Sequence, residues 1–238
     1  MKDIPPLTIV CWKWGAPGYR INFTAHHVNV LASMVKRNYK RPHRFVCITD
    51  DPTGIECETF PLWKDCGEMI NACGTHLPSC YRRLRIFNES VAKQFGERIL
   101  SIDLDVVITG DITPVWEQPH DFVGWAVPGV VHARVYNGSM FMFRAGAHTD
   151  LWDEFDPQVS PDLSNKSGYF GSDQAWISYK LKGQAPGWNR SNGVVSYPRE
   201  QRKMPLSPTT RIVIFHGKRK PWDPAVQNES PWVLEHWR

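Results

Sequence analysis

Four short apolar runs constrain the fold of this 238-residue chain more than any other feature. They occupy residues 7–12, 44–49, 98–102 and 211–215, and each is almost continuously hydrophobic. Strands of a sheet covered by helices on both faces have this character, because neither side of such a strand meets water. The runs therefore predict buried, parallel β-strands.

Helical periodicity separates the first three runs. Residues 25–39 carry Val28, Leu31 and Val35 at spacings of three and four, and residues 81–95 show a similar pattern. Strand, helix, strand, helix, strand is the right-handed crossover arrangement of α/β domains. We therefore expect a single α/β domain of Rossmann-like type, with a mostly parallel central sheet flanked by helices.

The second half of the chain is less regular. Residues 136–144 predict a strand after a polar turn, residues 173–182 predict a helix, and residues 186–208 predict a long loop with short strands. The sequence contains no internal repeat and no low-complexity linker. One fused domain is therefore expected rather than two.

Composition excludes several classes of protein. Hydrophobic residues make up 42% of the chain and charged residues 22%, which suits a packed core and rules out a disordered chain or a coiled coil. The formal net charge of +4 is mild, and no basic region is large enough to predict nucleic acid as a partner. The eleven tryptophans either line a cleft for sugars or nucleobases or fill the core, and composition slightly favours the core.

The sequence also bears on location and redox state. It has no apolar run long enough to span a bilayer, and residues 1–6 lack the apolar stretch of a signal peptide, so a cytoplasmic protein without a transmembrane segment is expected. Cys11 and Cys47 lie within apolar runs and are expected to be buried thiols. The other four cysteines have no common zinc spacing, so reduced thiols are expected, with a loop disulfide or a loose metal site as alternatives.

Polar residues follow each predicted strand, where open parallel sheets bind their ligands. Asp103 and Asp105 follow the third strand, and residues two apart in an extended segment face the same side. Two such carboxylates repel each other unless a cation lies between them, and oxygen ligands suit Mg²⁺ or Mn²⁺. His216 follows the fourth strand, and an imidazole ligand would favour Mn²⁺. The alternative for the acidic pair is an exposed turn with two solvated carboxylates.

Five further residues have both a functional and a structural interpretation. Arg83 lies near the start of a predicted helix, where it either meets a phosphate or joins a solvated helix face, and for Arg85 the solvated face is preferred. Asp50 either hydrogen-bonds a base or ribose or, as the first interpretation, belongs to a turn. Asp173 is either a first-turn acid of the last predicted helix or, like Gln174, a residue that faces a substrate.

Several motifs can be compared with known families. Residues 98–116 contain an Asp-x-Asp signature, residues 81–85 supply arginines, residues 136–139 supply an asparagine, and residues 217–222 match Gly-x-x-Lys-Pro-Trp. In this combination the chain resembles the retaining nucleotide-sugar glycosyltransferases of GT-A fold, and it is most similar to the family-8 galactosyltransferase and glycogenin type. Residues 14–54 also look like a bacterial branch of uncharacterised glycosyltransferases.

The resemblance implies three groups of site residues. The metal ligands would be Asp103, Asp105 and His216. The residues that contact the nucleotide-sugar donor would be Trp14, Asp50, Arg83, Asp103, Leu104, Asn137, Gly217 and Lys220. The residues that act on the sugar would be Asp173 and Gln174, either of which can take the substrate-facing place.

Two positions depart from the family pattern. The metal histidine of the family usually lies three positions before the glycine, whereas His216 directly precedes Gly217. The usual Asp-Gln-Asp element ends in alanine here, as Asp173-Gln174-Ala175. The third metal ligand and the substrate-facing residue are therefore expectations that depend on the resemblance.

The activity implied by the resemblance is metal-dependent transfer of a sugar, with retention of configuration, from UDP to an acceptor hydroxyl. A UDP-sugar donor and Mn²⁺ or Mg²⁺ would be required, and the acceptor would be a glycan, a lipid-linked glycan or a protein. Residues 1–115 would form the nucleotide-sugar half and residues 116–238 the acceptor-side half. Peripheral contact with the inner face of the membrane is a further expectation.

Two other functions remain open at this point. A nucleotidyltransferase acting on a sugar phosphate also uses paired carboxylates and Mg²⁺, although its usual glycine-rich basic loop is poorly matched after the first strand. A non-catalytic sugar-binding protein would use the tryptophans as stacking platforms and would need no metal.

Overall fold

The computed structural model of the chain describes residues 4–15, 21–69, 79–126 and 135–238. Its largest element is a seven-stranded sheet. The strands of this sheet are β1 (Leu7–Lys13), β2 (His43–Thr49), β3 (Glu58–Pro61), β4 (Arg98–Ile102), β6 (Phe122–Ala126), β7 (Tyr136–Arg144) and β8 (Gly187–Trp188). The strands of a second, three-stranded sheet are β5 (Val106–Ile108), β9 (Val194–Ser196) and β10 (Ile212–Ile214).

The large sheet is mostly parallel, as the sequence predicts. Its strand order is β3-β2-β1-β4-β7-β6-β8, and within the described ranges only β7 runs against its neighbours. The ladder between β1 and β2 runs from the Leu7–His43 pair to the Lys13–Thr49 pair. Because β4 pairs with the other side of β1 in the same direction, the carboxyl ends of all three strands lie at one edge.

The fourth apolar run forms a buried strand, as predicted, but this strand belongs to the second sheet rather than to the mostly parallel large sheet. It forms β10, which pairs antiparallel with β5 and parallel with β9. Since β5 begins directly after Asp105, antiparallel pairing returns the end of β10 to that residue, and the Phe215 amide donates to the Asp105 carbonyl at 3.0 Å. A buried apolar run indicates a strand but does not indicate its partner, which is why sequence reasoning failed here.

Eight α-helices lie within the described ranges. They are α1 (Ala25–Asn38), α2 (Glu89–Phe95), α3 (Thr113–Trp116), α4 (Asp150–Asp153), α5 (Ser160–Lys166), α6 (Asp173–Leu181), α7 (Pro224–Glu229) and α8 (Trp232–His236). Two 3₁₀ segments and one π-helical segment complete the helical structure: Tyr81–Phe87, Arg190–Asn192 and Tyr197–Gln201. The predicted helices 25–39 and 173–182 are confirmed as α1 and α6.

The predicted helix 81–95 is instead two segments, Tyr81–Phe87 in 3₁₀ form and then α2. Asn88 lies between them with an extended backbone, and its side-chain oxygen accepts a hydrogen bond from the Val91 amide at 3.2 Å. This N-cap begins a new helix, because it satisfies an amide that has no partner in the first turn. Because of this break, the side chains of the Tyr81–Phe87 segment do not follow the helical direction of α2.

The core has two parts, and β1 contributes to both. Ile9 and Cys11 pack in one apolar cluster with residues of α1, whereas Val10 and Trp12 pack in the other with the Tyr81–Phe87 segment. Successive side chains of a strand point to opposite faces. This is the physical reason for the continuous hydrophobicity of the first run.

The cysteines agree with the sequence prediction where the structure describes them. Cys11 and Cys47 are buried, and Cys57, Cys66 and Cys80 are free thiols. Cys73 lies outside the described residues. No helix in the described part of the chain has the length and apolar character needed to cross a membrane.

Candidate active site

A cavity of about 420 Å³ opens at the carboxyl edge of the large sheet. Its walls come from the ends of β1 and β4, the starts of β7 and α6, and the segment after β10. The walls carry five acidic or basic side chains and one histidine: Arg83, Asp103, Asp105, Asp173, Lys220 and His216. The resemblance assigns twelve residues to the site, of which eleven line this cavity and Asp50 does not.

Two strand ladders place the Asp-x-Asp segment, residues 103–105, at the centre of the cavity. The Asp103 amide donates to the Ser139 carbonyl at 2.8 Å, which extends the pairing of β4 with β7 by one residue. On the other side, β5 pairs with β10 and holds Asp105 against Phe215. The segment therefore bridges the two sheets, and residues far apart in sequence meet around it.

Arg83 forms two ion pairs in the cavity wall, and the pair with Asp173 is buried whereas the Asp103 side chain is 29% exposed. Its Nε donates to Asp173 Oδ2 and its Nη1 to Asp103 Oδ1, both at 2.7 Å. Only 6% of the Arg83 side chain and 2% of the Asp173 side chain are exposed. Gly138 makes room for this arrangement, since a Cβ at that position would lie 2.5 Å from Arg83 Nη2. A guanidinium held by two carboxylates has a fixed orientation, because its donors form a rigid planar fork.

Asp105 is paired with Lys220, and the pair is buried. The Lys220 ammonium donates to the Asp105 carboxylate and, at 3.1 Å, to the Phe215 carbonyl. The exposed fractions of the Lys220 and Asp105 side chains are 4% and 9%. The second carboxylate oxygen, Asp105 Oδ1, is buried and has no hydrogen-bond partner among the described residues. Leaving such an oxygen unsatisfied is costly, so this atom is a candidate ligand for a cation.

Asp103 is a partner of Arg83 and lies two residues before Asp105, the partner of Lys220. Burial raises the pKa of Asp103, the Arg83 guanidinium opposes this rise, and the charge of Asp105 adds to it. Asp103 is thus held close to a second carboxylate, as the spacing of the motif predicts. A divalent cation is the partner that relieves repulsion between two such groups.

His216 is fixed beside this acidic segment by the second sheet. The parallel register of β9 and β10 pairs Ile214 with Ser196, and Ser196 Oγ lies 2.7 Å from His216 Nε2. Burial lowers the pKa of His216 to about 4, and the positive charges of Arg199 and Lys220 contribute to the shift. The imidazole is therefore neutral at neutral pH, which is the form that binds a metal ion.

Asn137 and Gln174 line the wall opposite the second sheet, and backbone groups orient both amides. Asn137 Oδ1 accepts a hydrogen bond from the Ser139 amide at 2.9 Å. Gln174 accepts from the Gly138 amide at 3.3 Å and donates to the Phe170 carbonyl at 3.2 Å. Asp173 is the first residue of α6, and its carboxylate accepts a hydrogen bond from Arg83 Nε. The choice of substrate-facing residue stays a prediction.

Three other predicted positions are placed as follows. Trp14 lines the cavity. Asp50 lies at the end of β2, where its carboxylate accepts a hydrogen bond from the Gly15 amide at 2.8 Å and ties together the segments that follow β1 and β2. Arg85 does not line the cavity, and its guanidinium lies 4.7 Å from the centre of the Trp152 ring. Arg85 therefore lies away from the cavity, but its side chain is half-buried against Trp152 rather than fully solvated.

Tryptophan serves mainly as core. Six of the eleven are buried: Trp12, Trp116, Trp125, Trp176, Trp188 and Trp232. Trp12 and Trp14 are the tryptophans that line the cavity in the described part of the chain. The core interpretation that composition slightly favours therefore fits most of these rings.

The side chains of the cavity fit a divalent cation by their chemistry. No group of three or more His, Cys, Asp or Glu side chains in the described ranges is already arranged as a metal site. The donor set itself is suitable, because Asp103 and Asp105 supply carboxylates, Asp105 Oδ1 has no other described partner, and His216 is neutral.

Sequence reasoning missed the ion pairs that organise this site. Arg83 and Lys220 were expected to approach a diphosphate, and in the structure they bind carboxylates of the cavity wall. Nothing in the spacing links Arg83 to Asp173, which lies 90 residues away. One signal was available: Gly138 lies inside a strand-like run, and a glycine there indicates close approach by another group.

The two sheets, the cavity at the edge of the larger one and the Asp-x-Asp segment between them define a domain of GT-A type, which confirms the fold expected from the sequence. The galactosyltransferase LgtC, solved with donor and acceptor sugar analogues, shares this fold with a TM-score of 0.62 and 14% identity, over 96% of this chain and 94% of LgtC. An active-site mutant of LgtC gives a TM-score of 0.61 and 13% identity, over 96% of both chains.

The apo form of the glycosyltransferase GlyE from Streptococcus pneumoniae TIGR4 also has this fold. Its TM-score is 0.59 at 14% identity, and 98% of this chain matches 61% of GlyE. No protein-family model matches the sequence, and no curated protein has significant sequence similarity to it. At these identities the likeness establishes the fold, and the chemistry has to be argued from the cavity.

Proposed function

We propose that this protein is a glycosyltransferase that moves a sugar from a nucleoside diphosphate, UDP, to an acceptor hydroxyl, with a divalent cation and with retention of configuration. The observation that carries the proposal is the Asp-x-Asp segment facing one cavity together with Arg83 and Asp173. The solved proteins that share the fold are glycosyltransferases, and one of them was solved with donor and acceptor analogues.

The metal would be Mn²⁺ or Mg²⁺, held by Asp103, Asp105 and His216. When bound there, it would supply Lewis-acid stabilisation to the diphosphate. The neutral imidazole of His216 and the free Oδ1 of Asp105 support this assignment. The donor would contact the cavity through Trp14, Leu104, Asn137 and Gly217, with Asp50 at the adjoining turn.

The leaving diphosphate gains negative charge as the bond to the sugar breaks. Arg83 is a permanent cation on the cavity wall, and its two carboxylate partners fix its position before substrate arrives. Lys220 is a second cation on the same wall. Preorganised charges of this kind stabilise a transition state without having to reorient during the reaction.

A covalent intermediate on the protein is not required. Asp173 directly precedes Gln174, but Arg83 binds one of its carboxylate oxygens and Ser172 Oγ lies 3.2 Å from the other. Such a carboxylate is a weak nucleophile. The acceptor oxygen would instead attack the anomeric carbon on the face that the diphosphate leaves, and its proton would pass to a diphosphate oxygen. Asn137 and Gln174 would orient the sugar.

The cavity draws on both parts of the chain. Residues 1–115 would bind the nucleotide, and residues 116–238 would hold the acceptor, which we propose to be a glycan, a lipid-linked glycan or a protein. A cytoplasmic location with peripheral contact at the inner face of the membrane is part of the same proposal. Sedimentation with vesicles tests the membrane contact, and protein that stays in the supernatant at every lipid composition would contradict it.

Calorimetric titration of UDP into the protein, first with Mn²⁺ and then with EDTA, tests the donor site. We expect binding that depends on the metal, followed by release of UDP from UDP-sugars when an acceptor is added. Release of pyrophosphate instead would identify nucleotidyl transfer. Failure of UDP and of other nucleotides to bind under both conditions would contradict the proposal and favour a sugar-binding protein.

A further inference from the structure

Several hydrogen bonds hold Lys220 in the cavity wall. Its ammonium donates to Asp105 and to the Phe215 carbonyl, and its own backbone amide donates to Asp223 Oδ2 at 2.7 Å. An ammonium has three donors, so two of them are in use and one remains for a ligand. The charge that the donor diphosphate would need is therefore already engaged.

The charges around the cavity do not balance. Among the described residues that line it, the carboxylates are Asp103, Asp105 and Asp173, and the permanently charged cations are Arg83 and Lys220. These five groups leave one carboxylate charge without a cation among the described residues, which opposes entry of a diphosphate, and a divalent cation would reverse the sign of the net charge.

We propose that Lys220 is a resident counter-ion of Asp105, that a divalent cation competes with it for this carboxylate, and that the displaced ammonium becomes available to the diphosphate. This inference rests on the proposed function, since it assumes that metal and diphosphate meet in this cavity. The unpartnered Asp105 Oδ1 beside the occupied Oδ2 is the atom at which the cation gains access.

The competition has a thermodynamic consequence. The metal alone has to displace a buried ammonium and binds weakly, whereas the diphosphate stabilises that ammonium after displacement. Each ligand therefore raises the affinity for the other, and by reciprocity the two factors are equal. Lys220 is the residue through which this coupling passes.

Substitution of Lys220 tests the competition without any donor. The EPR signal of free Mn²⁺ is followed during titration of the wild type, Lys220→Met and, as a control from the same segment, Lys218→Met. We expect Lys220→Met to bind Mn²⁺ at least about tenfold more tightly, because one positive charge next to the ion is removed. The control is expected to match the wild type. Equal affinity in all three proteins would overturn the inference.

Chemical labelling of the wild type tests the displacement itself and does not depend on whether the variant folds. Amine acetylation at each lysine is measured by mass spectrometry with and without Mn²⁺, and the exposed Lys218 is the internal reference. We expect slow labelling of Lys220 in metal-free protein and at least about threefold faster labelling with Mn²⁺, because the ammonium leaves its buried carboxylate. An unchanged rate would show a permanent structural ion pair and would refute the displacement.

The two proposals fail in different ways. UDP released from a UDP-sugar, together with unchanged Lys220 labelling, would refute the counter-ion role alone. Faster labelling with Mn²⁺, together with no turnover of any nucleotide sugar, would refute the transferase and support the counter-ion role.

Discussion

The main cavity and a second one between α4, α5 and α6 have nearly the same volume, about 420 Å³ and about 410 Å³. Both are lined by acids and lysines. The ionisable side chains around the second cavity are Asp150, Glu154, Asp156, Tyr179, Lys180 and Lys182. Volume and composition therefore do not separate the two cavities.

Burial of the charges does separate them. In the second cavity, Lys180 lies 3.1 Å from Asp150 and 2.7 Å from Glu154, whose side chains are 42% and 64% exposed. In the main cavity the Arg83–Asp173 and Lys220–Asp105 pairs are almost entirely buried, although Asp103, the second partner of Arg83, is 29% exposed. Exposed partners remain hydrated and interact weakly, whereas buried ones have lost their water and depend on each other. An excess of buried charge of one sign indicates a site that binds a further ion or ligand.

Removal of Arg83 should have the largest effect on stability. Arg83→Met leaves Asp103 and Asp173 without their shared cation, and Asp173 has almost no access to water. We expect the free energy of unfolding to fall by about 3–5 kcal/mol, the cost of breaking a buried ion pair from one side. Urea denaturation followed by tryptophan fluorescence measures this loss.

Arg44 provides the matched control, because it binds Glu58 at 2.6 Å on the surface. Arg44→Met should cost less than about 1 kcal/mol. Similar losses in the two variants would show that burial does not distinguish the ion pairs of the main cavity from those of the surface.

Asp103→Ala should separate activity from stability. The proposed transfer should lose at least about a hundredfold in kcat/KM, because the metal and the leaving group lose their electrostatic support. The free energy of unfolding should stay the same or rise, because removal of one of the three carboxylates balances the two cations among the described residues that line the cavity. UDP release and urea denaturation measure the two quantities.

The same substitution in the second cavity, Asp150→Ala, should leave turnover unchanged. Near-wild-type turnover by Asp103→Ala would exclude this residue from the proposed site. A large loss of stability in Asp103→Ala would contradict the excess of carboxylate charge inferred for the main cavity.

A single methyl group at Gly138 should disturb the main cavity. The Cβ in Gly138→Ala would lie 2.5 Å from Arg83 Nη2 and 3.4 Å from Asp173 Oδ1, so the guanidinium has to move. Overpacking of this kind costs about 1–3 kcal/mol. We also expect weaker binding of UDP, measured by calorimetry.

Gly110 is the control for added bulk, because a Cβ there would meet nothing nearer than the Thr210 carbonyl at 3.8 Å. Gly110→Ala should change stability by no more than about 0.5 kcal/mol. Equal changes in stability for the two alanine variants would mean that the Arg83 side chain can adopt another position and that Gly138 does not fix its orientation.

Much of the fold and many positions of the site could be predicted from the sequence. The buried strands correspond to continuous apolar runs, and the polar residues that follow those runs include Asp103, Asp105 and His216. The start of a predicted helix suggested Arg83, the family resemblance added Lys220, and all five residues line one cavity. These residues could be predicted from the sequence because each lies directly after a strand or within a short local motif.

The strand pairings and ion pairs could not be predicted, because they join residues that are far apart in the sequence. β10 pairs with β5 about a hundred residues away, and Lys220 meets Asp105 at a separation of 115. Local patterns report burial and turn chemistry, but they do not report which charge neutralises which. The charge imbalance of the cavity depends on the position of Asp173 beside Arg83, which no local pattern predicts.

Lys180→Met in the second cavity should have the smallest effect. Loss of the ammonium leaves Asp150 and Glu154 exposed enough to be hydrated by water, in contrast to Asp173. We expect a loss of about 0.2–1 kcal/mol in unfolding free energy, and a smaller loss at high salt because exposed charges are screened. Turnover should equal that of the wild type. A loss above about 2 kcal/mol that persists in salt would mean that the second cavity, too, depends on desolvated charge, and burial would no longer distinguish the two.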